Sequence, residues 1–179
     1  MDYFNNISYI ISHIFLLLFL YLFITHRYSG FATRCICIAS FLILTVTDII
    51  KLNMFPDSAP CYVFMTILQI IVTQSTGILI SKKRNTKVLF MDLSASNYVI
   101  IGSVVACILN IWTDRPILAL IGCFSMHALL LFILYATIHD IWIRQYEKEY
   151  TKGWWKLCLI PVFFLLQLFF YRLFSAHLI

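Results

Sequence analysis

Long apolar runs separated by short polar connections are the feature of this 179-residue chain that most limits its fold. A helix needs about 20 mainly apolar residues to cross the hydrocarbon core of a bilayer. Runs of roughly that length cover residues 7–25, 31–50, 60–80, 88–112, 116–138 and 154–171. We therefore predict an all-α fold, a polytopic transmembrane helical bundle of about six spans that forms one membrane domain over residues 1–179.

The composition supports the same class. Hydrophobic residues make up 62% of the chain and charged residues 12%, and the mean hydropathy is +0.92. An ordinary soluble domain is about 45–50% apolar and about 25% charged. A soluble chain of this size could not hide the excess, because a large part of its surface stays exposed. We expect the protein to lie in the cell membrane with the lipid bilayer as its main partner.

The positions of the 13 Lys and Arg residues predict the orientation. Loops rich in Lys and Arg remain in the cytoplasm. One set of alternate loops carries Arg27, Arg34, Lys82, Lys83, Arg84, Lys87, Arg144, Lys148, Lys152 and Lys156. The other set carries only Lys51, Arg115 and Arg172. We therefore place the amino terminus outside. The net charge of +5 does not indicate nucleic-acid binding, because no basic stripe lies along a polar face.

Prolines and one aspartate mark predicted helix ends. Pro60 and Pro116 stand at helix starts, where the missing N–H costs nothing, and Asp114 is a predicted N-cap of the fifth helix. Pro161 lies inside the sixth run and predicts a kink. Residues 139–153 alternate apolar and charged positions at helical spacing, which favours a short helix in the inner interface. The alternative is a plain extension of the fifth helix.

Polar side chains inside the runs are the candidate functional residues, because each is costly in hydrocarbon. The fourth run carries Asp92, Ser94, Ser96 and Asn97, and the third carries a comparable group around Gln69. Together they form either a polar cavity that binds a signal or separate interhelical hydrogen bonds worth about 1 kcal/mol each. Both interpretations stay open from the sequence.

Three further polar features accompany that group. His127 falls near the middle of the fifth run, where it bonds a neighbouring helix or else relays protons. His13 in the first run has the same two interpretations. Asp48 and Lys51 are three residues apart at the outer end of the second run. We interpret them as an ion pair at the membrane rim, with snorkelled side chains, rather than as an outward-facing site.

No catalytic or metal-binding motif stands out. The six cysteines are scattered through the runs rather than clustered in loops as in zinc sites. We therefore predict no metal, no cofactor and no enzymatic activity. A membrane peptidase using Cys35 and His26 is a remaining alternative, because a nucleophile and its base can be distant in sequence.

Three stretches resemble a known family. They are KVLFMDLSASNYVIIGS (Lys87 to Ser103), IWTDRPILAL (Ile111 to Leu120) and KGWWKLCLIPVFFLLQLFFYRLF (Lys152 to Phe174). They are similar to the membrane region of bacterial GHKL-type sensor histidine kinases, the class that includes peptide-pheromone receptors. In that class a phosphoacceptor His and an ATP-binding domain follow the bundle. No position of this chain matches a catalytic residue of the family, so none is carried over.

The resemblance implies a sensor module of a two-component system without its catalytic part. Its expected ligand is an extracellular or membrane-borne molecule such as a peptide, and its expected protein partner is a kinase or a second copy of the chain. The candidate contact residues are Asp92, Ser94, Ser96, Asn97 and His127. A small six-helix substrate-binding subunit of a transporter is the main alternative, although those proteins usually start inside.

Overall fold

The computed structural model of the chain describes residues 2–54, 58–148 and 153–175; in these ranges it describes no side chains for 2–6, 52, 59, 62 and 165–175. The described residues form six α-helices and no strand, which confirms the all-α prediction. The helices are α1 (Asp2–Phe23), α2 (Gly30–Asn53), α3 (Ala59–Ile80), α4 (Thr86–Thr113), α5 (Pro116–Glu147) and α6 (Trp154–Ser175).

Four of these helices, α2 to α5, are long and apolar enough to cross a membrane. In the described parts of α1 and α6 the apolar stretches are shorter and cover Ile7–Phe23 and Trp154–Phe164. α5 has 32 residues, which corresponds to about 48 Å of helix at 1.5 Å per residue. It is therefore longer than the hydrocarbon core of a bilayer, which is about 30 Å thick.

Helix α4 is the centre of the bundle. It contacts α1, α3, α5 and α6, while α2 packs between α1 and α3. Large apolar side chains cover much of the outer surface, and Phe31, Trp112 and Ile117 are among the most exposed. Several charged or polar side chains, including Lys87 and Asp92, are buried between the helices. This distribution is the reverse of a soluble protein and suits a hydrocarbon surrounding.

The helix ends follow from local sequence. Ser29, Ser58 and Asn85 cap α2, α3 and α4 with their side chains, as expected for short polar residues that satisfy free N–H groups. Pro116 begins α5, as predicted. The N-cap predicted at Asp114 is wrong, because Asp114 ends α4 in the left-handed conformation with φ 50°. Aspartate tolerates that conformation better than most residues.

The structure does not separate residues 139–147 from α5. The helix continues without a break to Glu147, so the predicted short helix over 139–153 is not seen in its described part, and residues 149–152 lie outside the described ones. No Gly or Pro interrupts 139–147. Pro161 is buried inside α6, which runs through it, and the kink there stays a prediction.

Gly102 of α4 packs directly against α5, and it generates a first prediction. A Cβ added there would overlap the imidazole of His127, which is buried and stacked on Phe15 and so has little freedom to move. We expect Gly102→Ala to lower the free energy of unfolding by about 1–3 kcal/mol. The measurement is unfolding in mixed detergent micelles followed by circular dichroism.

Gly30→Ala is the matched control, because its new Cβ would meet only the Arg34 guanidinium at 3.7 Å. We expect that variant to be neutral or slightly stabilised by the better helix propensity of Ala. Equal stability of the two variants would contradict the packing described for α4 and α5.

Candidate functional site

A buried ion pair lies at one end of the bundle, at the end opposite the cation-rich connections. Asp48 and Lys51 of α2 are 2% and 3% exposed, and the Lys51 Nζ lies 2.8 Å from the Asp48 Oδ1. His13 of α1 donates to Asp48 Oδ2 over 2.5 Å. Gln69 of α3 donates to Asp48 Oδ1 over 2.6 Å and to Thr47 over 3.1 Å. We call these five residues the Asp48 cluster.

The Asp48 cluster joins three helices through one carboxylate. In a low-dielectric interior an ion pair is strong, but each of its members must be fully paired to offset its lost hydration. Asp48 meets this condition with three partners. Lys51 also donates to Gln69 Oε1 over 3.4 Å and lies 4.6 Å from the ring centroid of Tyr9. Its charge is therefore surrounded by acceptors and an aromatic face.

The predicted pairing of Asp48 with Lys51 is confirmed. The predicted snorkelling of the two side chains is wrong, because both are buried against α1 and α3. Sequence reasoning missed the cluster since it treated each helix by itself. A usable signal was present: His13 and Gln69 both fall in the halves of their runs that lie at the same end of the predicted bundle as Asp48. Intramembrane polar groups at one depth are natural partners.

His127 lies in the middle of the bundle and bonds a neighbouring helix, one of the two roles considered for it. Its side chain is fully buried, with Nε2 3.3 Å from Ser12 Oγ of α1. Ser12 in turn lies 3.2 Å from Ser103 Oγ of α4. The Tyr98 hydroxyl donates to the His127 carbonyl over 2.7 Å. This chain of contacts fastens α1, α4 and α5 together.

The serines predicted as ligand contacts on α4 bond their own helix. Ser94 donates to the Phe90 carbonyl over 2.7 Å, and Ser96 donates to the Asp92 carbonyl over 3.0 Å. Such bonds to the residue four positions earlier are common for serines within helices. Both hydroxyl protons are therefore already engaged.

The other predicted contact residues point to different neighbours. Asn97 donates to the Pro161 carbonyl of α6 over 3.2 Å. Asp92 lies against Gly77 of α3, where an added Cβ would overlap its carboxylate. His127 faces α1. The structure therefore does not bring Asp92, Asn97 and His127 together in one cavity.

Asp92 and Gln74 are buried polar groups without partners in the part of the chain that the structure describes. Both carboxylate oxygens of Asp92 and both amide atoms of Gln74 lack a hydrogen bond there. Asp92 is only 1% exposed. An unpaired polar group in a protein interior is costly, and within a membrane domain it often has a function.

A second polar assembly closes the cation-rich end of the bundle. The Lys87 side chain is fully buried, and its Nζ donates to the carbonyls of Gln145, Tyr146 and Lys148 over 2.9, 3.3 and 2.6 Å. These carbonyls belong to the end of α5, where the helix leaves them without partners. The ammonium group also interacts favourably with the negative end of the helix dipole.

Aromatic side chains complete this assembly. The Tyr146 hydroxyl lies 2.5 Å from Ser81 Oγ, just after α3. Trp142 donates from its indole N–H to the Phe23 carbonyl at the end of α1, over 3.0 Å. We call Ser81, Lys87, Trp142 and Tyr146 the α5 junction. It fixes the end of α5 to α1, α3 and α4.

The first two cation-rich connections also pair with each other next to the α5 junction. The Arg27 N–H donates to the Ile80 carbonyl over 2.8 Å, and the Lys82 N–H donates to the Thr25 carbonyl over 2.9 Å. From the sequence, Lys87 serves only to predict the orientation, and Tyr146 belongs to the predicted interfacial helix over 139–153. Neither assignment required burial, and no local pattern indicates it.

The peptidase alternative depends on Cys35 and His26. His26 Nε2 donates to the Tyr21 carbonyl over 2.8 Å, and no hydrogen bond joins it to Cys35, which is exposed on α2. Within the described residues no group of three His, Cys, Asp or Glu side chains could hold a metal ion.

Comparison of the chain with known protein families, with curated proteins and with solved structures found no match in any of the three. The resemblance to the membrane region of GHKL-type kinases therefore stays a proposal.

The Asp48 cluster generates a second prediction. We expect Asp48→Asn to lower the free energy of unfolding by about 3–5 kcal/mol, because it leaves Lys51 as a buried cation without its carboxylate. Unfolding in mixed micelles measures the change. Adding Lys51→Met to Asp48→Asn should restore part of the loss, since the unpaired cation is then gone.

Asp140→Asn is the control, because Asp140 pairs with His139 at the surface, where its side chain is 91% exposed. A surface change of this kind is expected to stay within about 0.5 kcal/mol. A similar small effect for Asp48→Asn would show that the buried pair does not form.

The α5 junction generates a third prediction. We expect Lys87→Met to leave three carbonyls unpaired, to lower the free energy of unfolding by about 1–3 kcal/mol and to speed amide exchange near the end of α5. Hydrogen exchange read by mass spectrometry measures the local effect. Lys82→Met, at an exposed neighbouring lysine, should change neither quantity, and identical behaviour of the two variants would refute the junction.

Proposed function

We propose that this chain is the signal-receiving membrane module of a two-component system, with about six spans and its amino terminus outside, and that it acts on a histidine kinase. One observation carries the proposal: α1 and α3 each take part in both polar assemblies. The chain itself performs no catalysis in this scheme. It receives a ligand at the Asp48 cluster and passes a change to the α5 junction.

The two connecting helices have clear contact points at both ends. α1 supplies His13 to the Asp48 cluster and the Phe23 carbonyl to Trp142. α3 supplies Gln69 to the Asp48 cluster and leads into Ser81, which contacts Tyr146. A shift or rotation of either helix at one end therefore changes hydrogen-bond geometry at the other. Such a two-ended element is a physical basis for coupling.

A ligand acts only through unequal affinity for two arrangements of the bundle. At the Asp48 cluster the two affinities differ, because a charged ligand binds only in an arrangement where it replaces Lys51 at Asp48 or Asp48 at Lys51. A peptide with a charged terminus has suitable chemistry. The cluster is a better candidate for ligand contact than Asp92, Ser94, Ser96 and Asn97, since those residues bond their own helix or face different neighbours.

In this proposal the signal passes from the Asp48 cluster to the α5 junction. That direction agrees with the orientation that we predict from the Lys and Arg residues in the loops. The α5 junction lies among the cation-rich connections, the end that we assign to the cytoplasm. The Asp48 cluster lies toward the other end and so toward the outside. A kinase in the cytoplasm would contact the end of α5 and the paired connections beside it.

A transport subunit is the second candidate function, and one observation favours it. Asp92 and Gln74 are buried without partners in the described residues. Ionisable groups inside spans commonly mark pathways for ions or substrates. In that scheme α3 and α4 would line the pathway, and the amino terminus would lie inside.

The coupling between the two ends is testable in the purified chain, and this is a fourth prediction. Gln69→Leu removes a donor from Asp48 without touching the α5 junction. We expect amide exchange in residues 24–29 and 81–85 to rise about fivefold, the effect of about 1 kcal/mol. Gly102→Ala serves as the stability control, because it loosens the bundle centre without touching either assembly. Equal exchange patterns in the two variants would disprove directed coupling.

Function itself requires the native host. Deleting the chain should change phosphorylation of a histidine kinase and its response regulator, and Gln69→Leu should shift that response while Gly30→Ala should not. Loss of uptake of a solute with unchanged phosphorylation would overturn the sensor proposal and support transport. Reporter fusions at both ends separate the two candidates independently, since they differ in the side of the amino terminus.

A further inference from the structure

A surface groove runs between α1 and α2 on the outside of the bundle. Its volume is about 710 Å³, and its lining is mainly apolar, with Leu18 of α1 and Ile38 and Phe41 of α2 among the lining residues. Leu18 and Ile38 are 39% and 59% exposed. In a bilayer this groove opens to lipid, so its natural occupant is an acyl chain rather than water or a soluble molecule.

One end of the groove is polar and positively charged. Arg34 of α2 and Tyr21 of α1 line it there. The Arg34 Nε donates to the Gly30 carbonyl, and no carboxylate in the described part of the chain pairs with this guanidinium. Arg27 is exposed in the connection just before α2. The groove therefore joins an apolar lining to a cation without a carboxylate partner among the described residues, at the end next to the connection between α1 and α2.

We propose that this groove is a binding site for one anionic phospholipid, with an acyl chain along Leu18, Ile38 and Phe41 and the phosphate on Arg34. A guanidinium offers several N–H donors to phosphate oxygens, and the groove offers apolar walls directly beyond it. A zwitterionic lipid fits less well, because its own cationic group is repelled by Arg34 and Arg27. The site is independent of the signalling proposal.

The occupant is a lipid rather than a peptide because of where the polar group stands. The charge lies only at one end of the groove, at the level where the helices meet the connections, and the apolar lining extends from there along α1 and α2. A phospholipid has this arrangement of one charged head and a long apolar chain. Cationic side chains at the membrane surface attract anionic lipids in the same way.

Native mass spectrometry of the full chain in detergent tests the proposal, and this is a fifth prediction. The probes are phosphatidylglycerol and phosphatidylcholine with identical acyl chains, added in increasing amounts. We expect one phosphatidylglycerol to stay bound at concentrations where phosphatidylcholine dissociates. Arg34→Gln should weaken phosphatidylglycerol about fivefold, which is the effect of one Lys or Arg at a membrane surface.

Two matched pairs of variants locate the site. Ile38→Trp fills the groove from an exposed position and should remove the bound lipid, whereas Phe132→Trp on α5, also exposed, should not. Arg115→Gln, an exposed arginine at the opposite end of the bundle, controls for the loss of one charge. Circular dichroism confirms that each variant keeps its helices.

Three results would overturn the proposal. The first is equal retention of both lipids. The second is unchanged phosphatidylglycerol binding in Arg34→Gln or in Ile38→Trp, which would place the lipid elsewhere. The third is a dimer of the chain that dissociates in Ile38→Trp without any bound lipid, which would show that a second copy fills the groove.

Discussion

Hydrocarbon offers no hydrogen bonds, and this constraint governs the arrangement of the whole bundle. Every polar group on a span must find its partner inside the protein or remain unsatisfied at a cost of several kcal/mol. Asp48 and Lys87 show the two solutions that this chain uses. Asp48 collects side chains from α1, α2 and α3, while Lys87 collects free backbone carbonyls from the end of α5. Apolar contacts between helices are not selective, so these polar contacts decide which faces turn inward.

The same constraint places polar contacts between helices at both ends of the bundle. α1 and α3 are fixed at the Asp48 cluster and again at the α5 junction, and His127 adds a tie at mid-depth. Asp92 and Gln74 are among the exceptions, because neither side chain has a hydrogen-bond partner in the described residues, and Asp92 is buried against Gly77. A network in which every polar group has a partner stiffens a bundle. A carboxylate without a partner instead favours a second arrangement of the helices, or a bound ion, that supplies one. The sensor proposal depends on the paired groups of the two polar assemblies, and the transport alternative depends on the unpaired Asp92 and Gln74.

Most of the outer surface is apolar, as contact with lipid requires. The groove between α1 and α2 differs, because Arg34 lines one of its ends and has no carboxylate partner among the described side chains. We expect a bundle with cation-rich connections to contact anionic headgroups at that level. An occupied groove would hold α1 and α2 together from outside, while the Asp48 cluster holds them from inside. Lipid composition would then influence α1, one of the two helices that link the polar assemblies.

The sequence by itself determined the all-α class and the approximate position of each helix, because hydrophobic length and the positions of Pro60 and Pro116 are local properties. It did not determine partners. The pairing of Asp48 with His13, the burial of Lys87 and the separation of Asp92 from Asn97 depend on which helix faces meet. The end of α5 illustrates the difference. Its helical spacing is visible in the sequence. Its contacts are not, because Trp142 and Tyr146 bond residues more than 60 positions away. Only the tertiary structure decides such contacts, since an apolar helix has several acceptable faces and the distant polar groups select one.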